Sequence, residues 1–242
     1  MLPKVYNKLR VAQEYATYAY ECTESSGDHL FINNTDTDAQ LVISTDIKEK
    51  LPAFDTVLAF RGTSSKQDVV TDIDIRRVRC TELFPSVMDE KPPKVHAGFY
   101  RQYMSVRPAM YEYLDDHPST NNILVASHSL GAALGTIATL DLAINRPNIN
   151  VHNVTFGSPR VGSSKFADMY NRYVDNTIRC VHGYDAVSFV PIPLRFKHVQ
   201  GKLWLPRVPS KDSSWFYNFK LSSCIKDHNL TKYRQGISMM FV

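Results

Sequence analysis

The chain is poor in the residues that build stapled or metal-dependent folds. Its 242 residues include four cysteines, Cys22, Cys80, Cys180 and Cys224, with no Cys-x-x-Cys pair and no histidine at zinc-finger spacing. That excludes a zinc finger and a disulfide-dense scaffold. Ten glycines and thirteen prolines are too few for a collagen-like or low-complexity chain. Neither charge dominates: Lys plus Arg number 28 and Asp plus Glu 24, a net charge of +4, far short of the basic footprint of a nucleic-acid binder. The one dense basic patch, Arg76, Arg77 and Arg79, is interleaved with Val78 and preceded by Asp72 and Asp74. It reads as a solvated face, with an anionic lipid surface as the lesser alternative.

Long apolar runs are missing too. Residues 117–140 lack Asp, Glu, Lys and Arg, yet Asn121, Asn122, Ser127, His128 and Ser129 make the stretch too polar to span a bilayer. The first twenty residues carry Lys4, Lys8, Arg10 and Glu14 and no apolar leader core, so the expectation is a cytoplasmic chain, or a secreted one already processed. The sequons at Asn153 and Asn229 are expected to be unused, the first in a buried strand and the second beside a candidate catalytic residue.

What is present, 43% hydrophobic and 21% charged residues, suits one α/β domain over residues 1–242, large enough to bury a core without a structural metal. Residues 6–20 have helical apolar spacing, and 29–44 read as two strands around the turn-rich segment 33–36. Short apolar runs at 56–60, 123–126, 151–156 and 178–181 then alternate with helical stretches near 96–114, 130–145 and 165–173. This alternation predicts a mostly parallel central sheet with helices on both faces. Function in such sheets gathers at the C-terminal ends of the strands. Residues 194–205 alternate like a hairpin.

Residues 123–133 read as a buried strand, one sharp turn and a small-residue helix, with Ser129 on the turn. A nucleophile elbow needs small side chains two before and two after the serine, and Ser127 and Gly131 supply them. A serine hydroxyl needs a histidine to take its proton and a carboxylate to orient that histidine. Asp185 leads as the acid because it follows the strand at 178–181 after a short turn, whereas Asp141 and Asp168 fall within helices. His198 and His228 both follow it; His228, at a loop end, is favoured over His198, within the alternating stretch. His128 and His182 read as structural. An oxyanion hole needs two donors: the backbone N–H of Leu130 at the helix start, and Thr63 after the strand that ends at Phe60.

Together these segments resemble the fungal-type lipases of class 3, an α/β-hydrolase family. The matching motifs are Phe60-Arg61-Gly62-Thr63, Val95-His96-x-Gly98-Phe99-Tyr100, His128-Ser129-Leu130-Gly131-Ala132, Phe156-Gly157-x-Pro159-Arg160-Val161-Gly162, Asp185-x-Val187 with Pro191, His198-x-x-Gly201-x-x-Trp204, and Asp227-His228 followed by Tyr233. The resemblance implies an α/β-hydrolase fold, a triad of Ser129, Asp185 and His228, and an oxyanion hole at Thr63 and Leu130. It implies structural roles for His96, Arg160 and Trp204, and a lid over residues 64–80 whose apolar face is Val69, Val70 and Ile73. Ser127 stands at the family's usual first elbow glycine, Ser188 where a proline often follows the acid, and no cysteine follows His228 to pair with Cys22.

The expected activity is a carboxylic ester hydrolase acting through an acyl-enzyme, with acylglycerols as substrate, no metal or cofactor, and a lipid–water interface as partner. A phospholipase A1 or a short-chain or feruloyl-type esterase is the alternative within that chemistry. A non-catalytic lipid- or partner-binding protein is the alternative outside it.

Overall fold

The computed structural model describes residues 2–62, 75–85, 92–207 and 226–241. Seven strands form one sheet in the order β1 (His29–Asn34), β2 (Ala39–Ser44), β3 (Thr56–Phe60), β6 (Asn122–His128), β7 (Asn150–Phe156), β8 (Thr177–His182), β9 (Lys202–Leu205). From β3 to β9 neighbouring strands run parallel, and β1 to β3 form an antiparallel edge. A separate ribbon pairs β4 (Arg77–Arg79) with β5 (Lys94–His96).

The central strands are continuous apolar runs because both faces of the sheet are covered. Along β6, Ile123 and Val125 join one core with residues of α3 (Ala97–Asp116), α4 (Leu130–Asn145) and α5 (Ser164–Tyr173). Leu124 and Ala126, one residue out of phase, join the opposite core with α1 (Leu2–Glu21) and α6 (Leu230–Met240). The described elements also include a short α2 (Ile47–Lys50) and a 3₁₀ turn at Ala186–Phe189. The mostly parallel sheet between two helical layers is the architecture the strand–helix alternation predicts. Among the described residues no helix is long and apolar enough to cross a membrane.

One element differs from expectation. Residues 194–205 do not form a hairpin: only Lys202–Leu205 is a strand, and it lies parallel to β8. Gly201, at φ 82°, turns the chain into β9. The basic patch at Arg77 and Arg79 is a strand, whose alternation is what interleaves Val78.

Helix α4 is buried from Gly131 to Leu142, which forces its one acid, Asp141, fully inside. Arg107 meets it with two hydrogen bonds, Nε to Oδ2 at 2.6 Å and a second to Oδ1 at 3.2 Å, and Tyr103, Tyr111 and Asn145 donate as well. Asp141 is therefore a core anchor, as its helical position suggests. Asp141→Ala strands Arg107 beside a cavity and should lower stability by roughly 3 kcal/mol; urea unfolding followed by circular dichroism measures it.

Candidate active site

Strand β6 delivers its C-terminal end directly into α4, and Ser129 is the single residue between them. It sits at φ 58°, ψ −130°, a left-handed conformation that costs a non-glycine residue of order 1–3 kcal/mol. The surroundings hold it there: Ser129 N–H donates to Phe156 O on the neighbouring strand at 3.0 Å. Gly131 passes so close to the end of β3 that a Cβ would lie 2.2 Å from Phe60 O. Gly131→Ala should therefore push the β3 end from the elbow, at a cost of about 2–3 kcal/mol in stability. A thermal melt, read beside kcat, checks both consequences. Ser127 fits where the resemblance leads one to expect glycine because the helix opposite carries Gly135, whose added Cβ would come within 2.3 Å of Ser127 Oγ.

Strand β8 ends at His182 and, after Gly183-Tyr184, presents Asp185. His228 stands just before α6, which Asn229 caps by accepting the Thr231 N–H. These two meet Ser129 across a long sequence gap. Ser129 Oγ lies 2.7 Å from His228 Nε2, and His228 Nδ1 lies 2.9 and 2.8 Å from the two Asp185 oxygens. Since a carboxylate only accepts, Nδ1 carries the proton and Nε2 is left to accept from the serine hydroxyl. All three residues are buried. Asp185 also accepts the Val187 N–H at 2.9 Å and the Tyr233 hydroxyl, so donors converge on its buried charge. Burial beside that charge holds the Tyr233 phenol well above its ordinary pKa, so it stays a donor.

Several neighbours position the triad. Gly157, at φ 62°, follows β7 where a Cβ would fall 2.6 Å from Asp185 Oδ2 and 2.7 Å from His228 Nδ1. No other residue fits there. Buried Asp227 accepts the Tyr184 N–H at 3.0 Å and pairs with Arg207 at 3.2 Å, fastening the segment before His228 to the turn that carries Asp185. His128 stacks on His228, ring centroids 4.5 Å apart, and its Nε2 lies 2.9 Å from the His228 carbonyl oxygen. That nitrogen must donate, leaving Nδ1 to accept the Tyr20 hydroxyl at 2.8 Å. The Tyr20 hydroxyl also packs against Gly62, where an added Cβ would fall 2.2 Å from it, which brings the end of β3 next to His128.

The structure thus brings Ser129, Asp185 and His228 together and leaves His198 apart. His198 Nε2 donates to Ser188 O at 2.7 Å, and burial with nearby Arg179 pushes its pKa down to about 3, so the ring is a neutral structural donor. Leu130 opens α4, so its N–H belongs to a first turn whose amides have no partner within the helix. Thr63 and the lid residues Val69, Val70 and Ile73 lie outside the described residues. Arg160 binds the carbonyls of Phe189 and Pro191, His96 caps α3 by accepting the Phe99 N–H, and Trp204 lies on β9 under Lys202. Cys22, Cys80 and Cys180 are buried free thiols, and burial pushes Cys80 up to about 12. Among the described residues no group of three or more His, Cys, Asp or Glu side chains is placed to hold a metal ion. Gly157, Tyr20 and Tyr233 have roles the sequence does not announce; the signal for Gly157 and Tyr233 is their place in the motif string, and Tyr20 has none.

The family model described as Lipase (class 3) matches residues 57–194, more than half of the chain and inclusive of the elbow and Asp185. The chain belongs to the class 3 lipase family. A lipase of Rhizopus niveus is 37% identical over 145 residues, which are 55% of this chain and 34% of that one. A secreted mono- and diacylglycerol lipase of Malassezia globosa is 30% identical over 171 residues, covering 66% of this chain and 54% of the relative. A phospholipase A1-II 1 of Oryza sativa subsp. indica is 34% identical over 156 residues, 56% and 39% of the two chains. The chain thus matches about a third to a half of the length of these curated relatives. A triacylglycerol lipase structure from Penicillium expansum superposes with a TM-score of 0.71 at 22% identity, over 84% of this chain and 80% of that one. That likeness establishes the shared fold, the α/β-hydrolase fold of the family.

Proposed function

We propose that this family member is a serine-dependent carboxylic ester hydrolase, one catalytic unit over residues 1–242, acting on acylglycerols. The observation that carries the reading is the Ser129 Oγ to His228 Nε2 contact at 2.7 Å with Asp185 on the far side of the ring. The names of the Rhizopus and Malassezia relatives favour a lipid ester as substrate.

In the first half-reaction His228 Nε2 takes the Ser129 proton as Oγ bonds to the ester carbonyl carbon, and the oxygen negative charge is met by the N–H of Leu130 and by Thr63. His228 then gives that proton to the departing alcohol, leaving an acyl-Ser129 ester. Water repeats the sequence: His228 takes its proton, hydroxide oxygen bonds to the acyl carbon, and Ser129 Oγ leaves with the proton as the fatty acid is released. Asp185 stays ionised and offsets the imidazolium charge at each step.

The phospholipase A1 relative keeps a second reading open within the same chemistry, and phosphatidylcholine and feruloyl esters assayed beside triolein separate the alternatives. The secreted Malassezia relative favours an extracellular setting and replaces the cytoplasmic expectation, since the composition of the first twenty residues says nothing of a processed form. Hydrolysis of butyrate and oleate glycerides, below and above their aggregation thresholds, tests the reading. Ser129-dependent turnover of the long-chain emulsion supports a lipase, and activity confined to dissolved short esters shows an esterase. The absence of any turnover would bring forward a non-catalytic binding protein.

A further inference from the structure

The β4–β5 ribbon and the segment after Asp185 lie at the same end of the sheet as Ser129. His96 N–H donates to Val161 O in the loop that follows β7, and residues 186–195 continue from the end of β8. The two pieces are tied together: an Arg77 guanidinium nitrogen donates to Arg195 O at 2.7 Å, and the same guanidinium lies over the Phe196 ring. Between them is an open recess of about 630 Å³, with Arg77, Lys94, Arg101 and Arg195 in its wall and no carboxylate among its described lining residues. Among the described residues Arg77, Lys94, Arg101 and Arg195 form no ion pair, whereas Arg76 in the same wall is engaged with a partner. Like charges gathered in one wall repel one another and create a positive potential that an anion relieves.

Large apolar side chains lie on the same two chain segments, Ile75 in the recess wall and Phe189, Ile192 and Leu194 in the stretch that leads to Arg195. Ile75 is 49% exposed, Phe189 50%, Ile192 56% and Leu194 88%. Single exposed apolar residues need no explanation, but a group of them on the segments of a basic recess has a specific chemistry. Side chains of this kind enter the acyl region of a lipid surface while Arg and Lys meet anionic headgroups. A small enclosed anion site is not what the wall offers, because the cations sit in an open recess whose chain segments also carry residues that water does not favour.

We propose that this surface, cationic at Arg77, Lys94, Arg101 and Arg195 and apolar at Ile192 and Leu194, docks the protein on an anionic lipid–water interface with the active-site end facing the lipid. The proposal rests on the reading of the protein as a lipid ester hydrolase and gives that reading a headgroup preference.

Co-sedimentation tests it, with the Ser129→Ala protein so that vesicles are not consumed. Phosphatidylcholine vesicles are compared with vesicles containing about 30 mol% phosphatidylglycerol. The expected partition is at least about tenfold higher on the anionic vesicles, and the preference should vanish at about 0.5 M salt. Arg101→Glu with Arg195→Glu should reduce anionic binding by about 30-fold or more and leave phosphatidylcholine binding near the parent value. Leu194→Asp should weaken binding to both vesicle types by about tenfold. Circular dichroism establishes that each variant is folded. Equal binding to the two compositions, or anionic binding that survives both charge reversals, overturns the proposal. So does complete competition by about 10 mM inorganic phosphate at constant ionic strength, which would identify a small-anion site. Wild-type ester turnover is measured separately: its absence contradicts the hydrolase reading alone, and loss of the anionic preference contradicts the docking surface alone.

Discussion

Ser129→Ala lowers kcat on a soluble short-chain ester by about 10⁴-fold or more, with the melting temperature held or raised. The loss is large because the variant removes the atom that bonds to the substrate, and no other hydroxyl is held against His228 Nε2 among the described hydrogen bonds. That stability is not lost has a separate cause. Ser129 occupies a left-handed conformation forced by the elbow, and the hydroxyl there serves the chemistry rather than the fold: Asn229, not Ser129, is the residue that caps its helix through its side chain. Initial-rate kinetics and a calorimetric melt on the same preparations check both parts. A variant keeping a tenth of the activity would mean that the nucleophile lies elsewhere.

Asp185→Asn is expected to cost about 10⁴-fold in kcat while the fold survives. The carboxylate accepts from His228 Nδ1, Val187 N–H and Tyr233 O–H, three donors aimed at two oxygens. An amide can accept at one end only. Its oxygen can stay with Val187, and its NH₂ then faces the Tyr233 side, where a hydroxyl can turn to accept. His228 Nδ1 then meets a donor, so the ring takes the tautomer with its proton on Nε2 and cannot receive one from Ser129. Tyr233→Phe provides the contrast: it removes one of three donors and leaves the tautomer defined, so a loss of about tenfold or less is expected. kcat for both variants against the same soluble ester measures the difference. A similar small loss in the two would show that Asp185 acts through packing rather than through its charge.

The parts of this site that are legible in the sequence are those carried by one short segment. The run from Ile123 to Gly131 shows a buried strand, a turn and a small-residue helix in nine residues, and Ser129 follows from it. Asp185 is readable because the short run with Ile178, Cys180 and Val181 is followed by a turn. His228 is readable by chain order and by its loop position, which favours it over His198 in the alternating stretch without showing what either ring touches. The separation is tertiary: His198 is bound to Ser188 O, whereas α6 packs against α1 and places His228 over the elbow.

What the sequence hides is contact between distant segments. Gly157 is one glycine among ten until the Asp185 and His228 side chains are seen against it. Tyr20 reads as the last turn of an amphipathic helix, yet its hydroxyl bonds His128 and packs against Gly62. The alternation over residues 194–205 suggests a hairpin because period-two patterning does not say which strand is the neighbour, and here β9 pairs with β8 in parallel. Ser127 looks like a defect in the elbow until Gly135 is found opposite, a compensation between residues eight apart on two different elements.

The central claim is that Ser129 is a nucleophile activated by His228, and covalent capture tests it without any assumption about substrate. The protein is incubated with a fluorophosphonate, in buffer and with detergent, and the adduct is located by peptide mass spectrometry. The account predicts one phosphonyl group on Ser129, formed rapidly in the wild type and strongly suppressed in His228→Ala, whose circular dichroism confirms folding. A folded wild-type protein that stays unlabelled in both conditions, or one that carries its label on another residue, would contradict it.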